Sequence, residues 1–397
     1  MNIYPLNITR QENLRGICAK IGADYRALAY LAPKFRILHL YADDVDYRAA
    51  GFLKQEMLAR GGDTVVTKHV IDGRTDKSDI LIMATPSQLR SLQEKLKAMD
   101  IWGLKEFREK LADTVRNMNV HEWAMTSPAG HTISLNMNTQ IMAILNLTPD
   151  SFFAESRIDE KGILSRAEEC LREGAYILDV GAESTRPGAE AVSEDEEIRR
   201  LVPALRLLRG HFPEVIISVD TYKPEIARAA ADEGADIIND ISGFTFRGDI
   251  LDSEGMPETI AALKIPYVLS HITGTPKNMQ AFENHADIVR ELAEYFSAKI
   301  AALESAGVSR ENIIIDPGLG FGKSSADNFA VLRDIESLSV WGLPVTAGHS
   351  RKRFTGEERL AGSVAVSALL SGRVSLLRVH DVKENAEALR IAREMMS

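Results

Sequence analysis

VIISVDTYKPEIARAAADEGADIINDIS, residues 215–242, decides how the chain folds. A β-branched apolar run, 215–221, ends in Asp220 and Thr221. A helical pattern starting at Pro224 and punctuated by Gly234 follows, and a second apolar run, 236–242, contains Asn239 and Asp240. Strand, helix and strand thus follow one another within 28 residues. A run apolar along most of its length suits a parallel strand buried on both faces.

The same rhythm extends in both directions. Apolar runs occur at 141–146 (IMAILN), 176–181 (YILDVG), 266–272 (PYVLSHI), 313–318 (IIIDPG), 344–350 (PVTAGHS) and 376–382 (LLRVHDV), with amphipathic segments between them. One of these, ADIVRELAEYFSAKIAALESAG, is apolar at three- and four-residue steps and closes at Gly307. Eight units in about 250 residues are the size of a (β/α)8 TIM barrel. A doubly wound open sheet is the alternative, but no GxGxxG follows the first run.

Each run also ends in polar residues that a buried strand would avoid: Asn146, Asp179, Asp220 with Thr221, Asn239 with Asp240, His271, Asp316, Ser350, and Arg378 with His380. Any one of them could be a helix cap or turn former. Eight strands ending alike points instead to the face of a barrel where strand C-termini meet and active sites are built.

Residues 1–120 are organised differently. A helical segment near 10–31 precedes a strand, FRILHLY. A helix over 46–63 closes at Gly61 and Gly62, two strands (TVVTKHV and DILIMAT) follow, and two more helices lie near 91–99 and 104–115. This predicts a small α/β domain with no chemical motif of its own. Residues 121–139 predict a linker and a hairpin closing the bottom of the barrel, which then occupies 140–397.

Composition narrows the function. There are 47 basic against 57 acidic side chains, a formal net charge of −10, so nothing draws the chain to nucleic acid or an anionic membrane. Anions must be bound by a local basic cluster. Two cysteines far apart, Cys18 and Cys170, indicate a reduced, cytoplasmic setting rather than a disulfide framework. No run approaches ~20 apolar residues, and MNIYPLNITR, with no apolar run behind a basic stretch, predicts no secretory signal.

The motifs themselves resemble the dihydropteroate synthases. IMAILNLTPDSFF (141–153) is similar to that family's first-strand signature and DVGAESTRPGAE (179–190) to its second loop. SVDTYKPEIA, NDISG, HITGTPKNMQ, DPGLGFGK, GHSRKRFTG and RVHDV follow in the family's order. The resemblance covers about 140–397. Two departures stand out: Ala154, Glu155 and Ser156 where the family has an Asp-Gly-Gly-like stretch, and Ser270 and Ile272 beside His271 where it tends to carry Met.

The resemblance implies condensation of 6-hydroxymethyl-7,8-dihydropterin pyrophosphate with p-aminobenzoate. It implies a pterin held by Asp220, Asn239, Asp316 and Lys352, and a pyrophosphate met by Arg378, His380 and Thr185, with Mg²⁺ at Asn146. Arg186, Pro187, Phe321 and Arg353 would form the aminobenzoate pocket. Asp179 and Ser350 are counted with the substrate-binding positions. These types suit the task, since buried ring donors need acceptors, an unpaired one costing ~1–3 kcal/mol, and Arg matches phosphate in a bidentate manner. The resemblance also implies a homodimer through the barrel and a target for sulfonamides. A methyltetrahydrofolate-dependent methyltransferase is the nearest rival, but it would leave STRPG, SRK and RVHDV unexplained. A degenerate synthase kept as a binding subunit is the other.

Overall fold

The protein is described from a computed structural model, which covers all residues except 7, 9, 10, 148–152, 155, 156, 159, 184–191, 247–254 and 397. The chain forms two compact units, Met1–Asn119 and one starting at Val120.

The N-terminal unit is built on a three-stranded antiparallel sheet, with Lys77–Ala84 between Leu38–Asp46 and Asp63–Val66. Ile80, Ile82 and Ala84 alternate inward and pack with Leu53, Met57, Leu89, Leu92 and Leu96. Helices Tyr47–Ala59 and Pro86–Leu96 supply those residues. Thr85 caps the second through a reciprocal box with Gln88. A further helix, Leu104–Asn117, completes the unit's carboxyl end. The helix expected over 10–31 is interrupted. Gln11–Ile21 stops at Gly22, whose φ of 77° leaves the helical region, and Asp24 caps a separate short turn before Leu28–Leu31. The first strand begins later than FRILHLY suggested and runs on to Asp46.

The second unit opens with an antiparallel hairpin, Glu122–Thr126 paired to Thr132–Asn136. Eight parallel strands follow: β1 (Gln140–Asn146), β2 (Ile177–Gly181), β3 (Ile216–Asp220), β4 (Ile237–Asp240), β5 (Tyr267–Ser270), β6 (Ile313–Asp316), β7 (Thr346–Ala347) and β8 (Leu376–Val379). Their order in the sheet is β6-β5-β4-β3-β2-β1-β8-β7. A parallel bridge between Ile315 and Val345 joins the two ends, with Ile315 N–H donating to Pro344 O at 3.0 Å. The sheet is therefore a barrel. Its helices are α1 (Glu160–Arg172), α2 (Glu194–His211), α3 (Pro224–Asp232), α4 (Met256–Leu263), α5 (Ile288–Ser305), α6 (Ser325–Arg333), α7 (Arg359–Leu370) and α8 (Val382–Met396).

Several strands stop short of the apolar runs because their last carboxylates turn the chain. Asp240 accepts from the N–H groups of Ser242 and Phe244, and Asp316 accepts from Gly318 N–H at 2.7 Å. Beyond β1, Phe153–Ala154 pairs antiparallel with Arg157–Ile158, where the sequence departs from the family. Glu155 and Ser156 lie outside the described residues.

Strand period explains the interior. Ile141, Leu178, Val180, Ile217, Val219, Ile238, Leu269 and Leu377 face outward and pack with the helices. The alternate positions face the lumen. Its lower layer is Met142, Ile177, Ile216, Ile237, Val268, Ile314 and Leu376, and the hairpin's Met125, Ile133 and Leu135 seal it from below. Ser127 and His131, at the hairpin's tip, both bond Asp236 Oδ1, at 2.6 and 2.7 Å. Ile133 is fully buried in this seal. Ile133→Ala should therefore destabilise the barrel by about 2–4 kcal/mol, measured by denaturant unfolding.

Candidate active site

Two residues further along each strand, the lumen changes character. Asp179, Ser218, Asn239, Asp316 and Arg378 occupy the second layer, and Asn146, Gly181 and Asp220 stand in register across β1, β2 and β3 at the mouth. A Cβ on Gly181 would lie 3.3 Å from Asp220 Cβ and 3.8 Å from Asn146 Oδ1. A glycine there leaves those two side chains the space between them.

Arg378 crosses the lumen from β8. Its Nε lies 2.6 Å from Asp179, and its Nη2 donates to Asp220. Asp179 is fully buried and also accepts from Ser218 Oγ at 2.6 Å and Asn239 Nδ2 at 3.2 Å. It was expected among the substrate-binding positions; its oxygens are engaged by neighbours, and what it orients is Arg378 and Asn239. Burial pushes the Asp220 carboxyl up to about 7, against the pull of Arg378 and with Asp179 adding to the rise. Burial alone would lower Arg378, but Asp179 and Asp220 outweigh it and hold the guanidinium charged.

On the opposite wall, burial raises Asp316, opposed by Lys352. Burial lowers the Lys352 ammonium to about 8, opposed chiefly by Asp316. Its Nζ donates to Leu319 O and lies 4.0 Å from the Phe321 ring centroid. Phe321 in turn packs against an apolar wall of Tyr222, Ile241, Phe246, Ile272 and Met279. Next to β8, His380 Nδ1 lies 3.1 Å from Ser350 Oγ, and Arg166 holds its carbonyl at 2.8 Å.

The structure thus gathers Asn146, Asp179, Asp220, Asn239, Asp316, Lys352 and Arg378 at one end of the barrel, with Phe321 against Lys352 and Ser350 against His380. Arg353 is exposed and paired with Glu283 at 2.7 Å. Thr185, Arg186 and Pro187 lie outside the described residues. Cys170 is buried in α1, and burial raises its thiol pKa.

Two buried lysines were not foreseen. Lys223 Nζ contacts Glu183 at 2.6 Å, Glu197 at 2.7 Å and Val192 O at 2.6 Å, tying together the two flanks of the STRPG segment. Lys323 lies under the Gly-rich turn after β6. Its signal was present in GFGK, a lysine fixed in place by glycines on either side of Phe321.

Against this geometry, residues 142–380 match the family described as "Pterin binding enzyme". The chain belongs to the dihydropteroate synthase family. The dihydropteroate synthase of Escherichia coli K12 is 41% identical over 270 residues, 65% of this chain and 92% of that protein. A Halobacterium salinarum protein named as a probable bifunctional folylpolyglutamate synthase/dihydropteroate synthase is 36% identical over 361 residues. That match covers 88% of this chain, reaching into the N-terminal unit, and 42% of the relative. Among solved structures, a Xanthomonas albilineans dihydropteroate synthase with 4-aminobenzoic acid superposes with a TM-score of 0.60 at 38% identity, covering 68% of this chain and 99% of that one.

In this synthase barrel Arg378 is the sole countercharge within ion-pair distance of Asp179 and Asp220 among the described residues. Arg378→Met would leave both carboxylates buried and unpaired, a loss of about 3–5 kcal/mol. The loss should be greatest above pH 7 and shrink below it, where Asp220 takes up a proton. Urea unfolding of both proteins at pH 8 and pH 5.5 measures this, and an equal loss at both would contradict it.

Proposed function

We propose that the chain is a dihydropteroate synthase, a transferase that joins p-aminobenzoate to 6-hydroxymethyl-7,8-dihydropterin pyrophosphate and releases pyrophosphate in folate biosynthesis. The observation that carries this reading is the set of buried charges, Asp220 bonded to Arg378 and Asp316 under the influence of Lys352, at the polar end of a barrel whose lower layer is apolar.

The pterin lies between those pairs. Asp220 and Asp316 accept from its ring N–H and amino groups, Asn239 supplies both donor and acceptor, and the Lys352 ammonium donates to the ring carbonyl. Once pterin donors reach Asp220, Arg378 Nη2 is released toward the pyrophosphate, beside His380 and Ser350. Asp179 keeps hold of Nε, so the guanidinium swings about a fixed point. As the C–O bond to pyrophosphate breaks, the methylene gains positive charge in conjugation with the ring. The carboxylates of Asp220 and Asp316 stabilise that charge, and Arg378 and His380 stabilise the charge on the leaving group. The aryl amine then attacks, held by Phe321, Arg186, Pro187 and Arg353, with Thr185 on the pyrophosphate. No covalent enzyme intermediate is needed.

Asn146 presents a side-chain oxygen at the mouth, one register step from Gly181 and two from Asp220. A single neutral oxygen suits Mg²⁺, which keeps most of its waters. Bound there, the ion would offset pyrophosphate charge. Phe329 on α6, Leu360 and Leu369 on α7 and Ile391 on α8 are exposed, which supports a homodimer through this side of the barrel. Among the described residues no helix is long and apolar enough to cross a membrane, and we place the enzyme in the cytoplasm.

The purified chain with Mg²⁺ should form 7,8-dihydropteroate from the two substrates, and absence of product would refute the reading. Lys352→Ala should lower kcat/KM by at least about a hundredfold while the thermal transition stays cooperative. Lys352 donates most strongly while charged, so kcat/KM for the pterin substrate should fall as pH rises through about 8. Lys352→Arg should move that limb to higher pH.

A further inference from the structure

Six residues after β6, Gly-Leu-Gly-Phe-Gly-Lys at 318–323, form a turn with an unusual support. Gly318, Gly320 and Gly322 have φ of 64°, 79° and 60°. A Cβ on them would stand 1.7 Å from His271 O, 2.6 Å from Lys352 Cδ and 2.6 Å from Thr273 O. Alternation of left-handed glycines with ordinary residues turns successive carbonyls in different directions, so backbone pairing cannot satisfy them all.

Within the turn the backbone closes Phe321 N–H to Gly318 O at 3.0 Å, and side chains supply the rest. Lys323 Nζ donates to Gly318 O at 3.0 Å and to Phe321 O at 3.2 Å. Lys352 donates to Leu319 O. His285 Nε2 lies 2.7 Å from Gly322 O, its Nδ1 being held by Glu291 at 2.5 Å. Asn328 accepts from Gly320 N–H at 2.7 Å and donates to Lys323 O at 3.2 Å.

Lys323 is the centre of this arrangement. It is 2% exposed, and among the described residues no carboxylate lies within ion-pair distance. Its third donor meets His271 Nδ1 at 2.7 Å. Burial lowers His271 to about 2, so that nitrogen stays free to accept. A buried ammonium without a counterion is costly, and burial lowers this one to about 7. An apolar side chain of similar length would fill the same volume without that cost. What only the amine supplies is three directed donors that fix Gly318, Phe321 and the His271 ring relative to one another.

We propose that Lys323 is a positioning residue for the aromatic amine, holding Phe321 against Lys352 through the Phe321 carbonyl, with His285 as a second brace. Lys323 does not touch substrate. The proposal rests on the synthase reading above, in which the Phe321 ring is a wall of the aminobenzoate pocket. Of the pterin groups, Asp220 and Asn239 lie on strands away from this turn, while Asp316 accepts from Gly318 N–H and Lys352 donates to Leu319 O. Lys323 bonds neither of those two groups, whereas it holds the Phe321 carbonyl directly, so the aminobenzoate side should respond more than the pterin side.

Steady-state kinetics of Lys323→Met, His285→Leu and Phe321→Ala, and of Lys323→Met combined with Phe321→Ala, test it on the full chain. Lys323→Met should raise KM for p-aminobenzoate about tenfold, the ratio for one lost buried hydrogen bond. KM for the pterin pyrophosphate should stay within about twofold, and His285→Leu should shift the same constant by less. Lys323→Met and Phe321→Ala should be non-additive, since one acts through the other. Equal changes in both KM values, a fall in kcat alone, or full additivity would overturn the proposal. If Lys323→Met does not fold, the half-buried His285 carries the same test, and an unchanged KM for p-aminobenzoate there overturns it. A wild-type chain that makes no pteroate instead removes the synthase reading itself, which the variants do not decide.

Discussion

Arg378 reaching Asp179 and Asp220 is the contact on which the site depends. Arg378 is on β8 and Asp220 on β3, and β1 and β2 lie between them in the sheet. A lumen-facing arginine can span that gap only if the sheet curls on itself. In a flat sheet the three residues would sit in a row, too far apart for one guanidinium to contact both carboxylates. Closure between Ile315 and Val345 therefore shapes the electrostatics of the mouth as well as removing the sheet's edges.

The two-residue period of a strand then divides the lumen by depth. Ile177 and Asp179, Ile216 and Ser218, Ile314 and Asp316, and Leu376 and Arg378 are neighbours on one face of one strand, apolar below and polar above. The hairpin closes the apolar end and leaves the polar end to ligands. Hydrophobic burial below is favourable without needing partners, whereas each charge above is tolerable only when paired. The lower half can therefore supply stability while the upper half is organised for binding.

Much of this was legible in the sequence because it depends on local pattern. The β/α rhythm showed the barrel, and the polar strand ends showed which end would carry chemistry. What was not legible depends on parity and on long-range packing. Asp179 and Asp220 both read as strand-end carboxylates, yet Asp179 lies one layer deeper and is enclosed by Ser218, Asn239 and Arg378. Strand ends were overextended, since Asp240 and Asp316 bond backbone N–H groups two residues ahead and pull the chain out of the sheet. The break at Gly22 was missed because the segment is apolar at helical spacing on both sides of it. A buried lysine is spelled like a surface one, so nothing in the sequence marks Lys223 as a site element, and the one hint for Lys323 is the glycine spacing of GFGK. Only the fold reveals that Glu183 and Glu197 enclose the first, and backbone carbonyls and an imidazole the second.

A chain of net charge −10 that must hold a pyrophosphate cannot rely on its overall field. Arg378 is instead fixed inside the barrel by Asp179 and Asp220, and Lys352 by Leu319 O and the Phe321 ring, with the charge of Asp316 favouring its ammonium. In the proposed reading Asp220 and Asp316 are also the acceptors a pterin edge requires. One set of buried charges can therefore serve two ligands of opposite demand, a ring rich in donors and an anion rich in acceptors. Around the barrel the carboxylates stand on β2, β3 and β6 and the cations on β8 and just after β7, so the two signs meet because Arg378 reaches across the lumen to Asp179 and Asp220. Burial already raises the Asp220 carboxyl, and the guanidinium opposes that rise, so the reach of one side chain keeps an acceptor charged on the far wall.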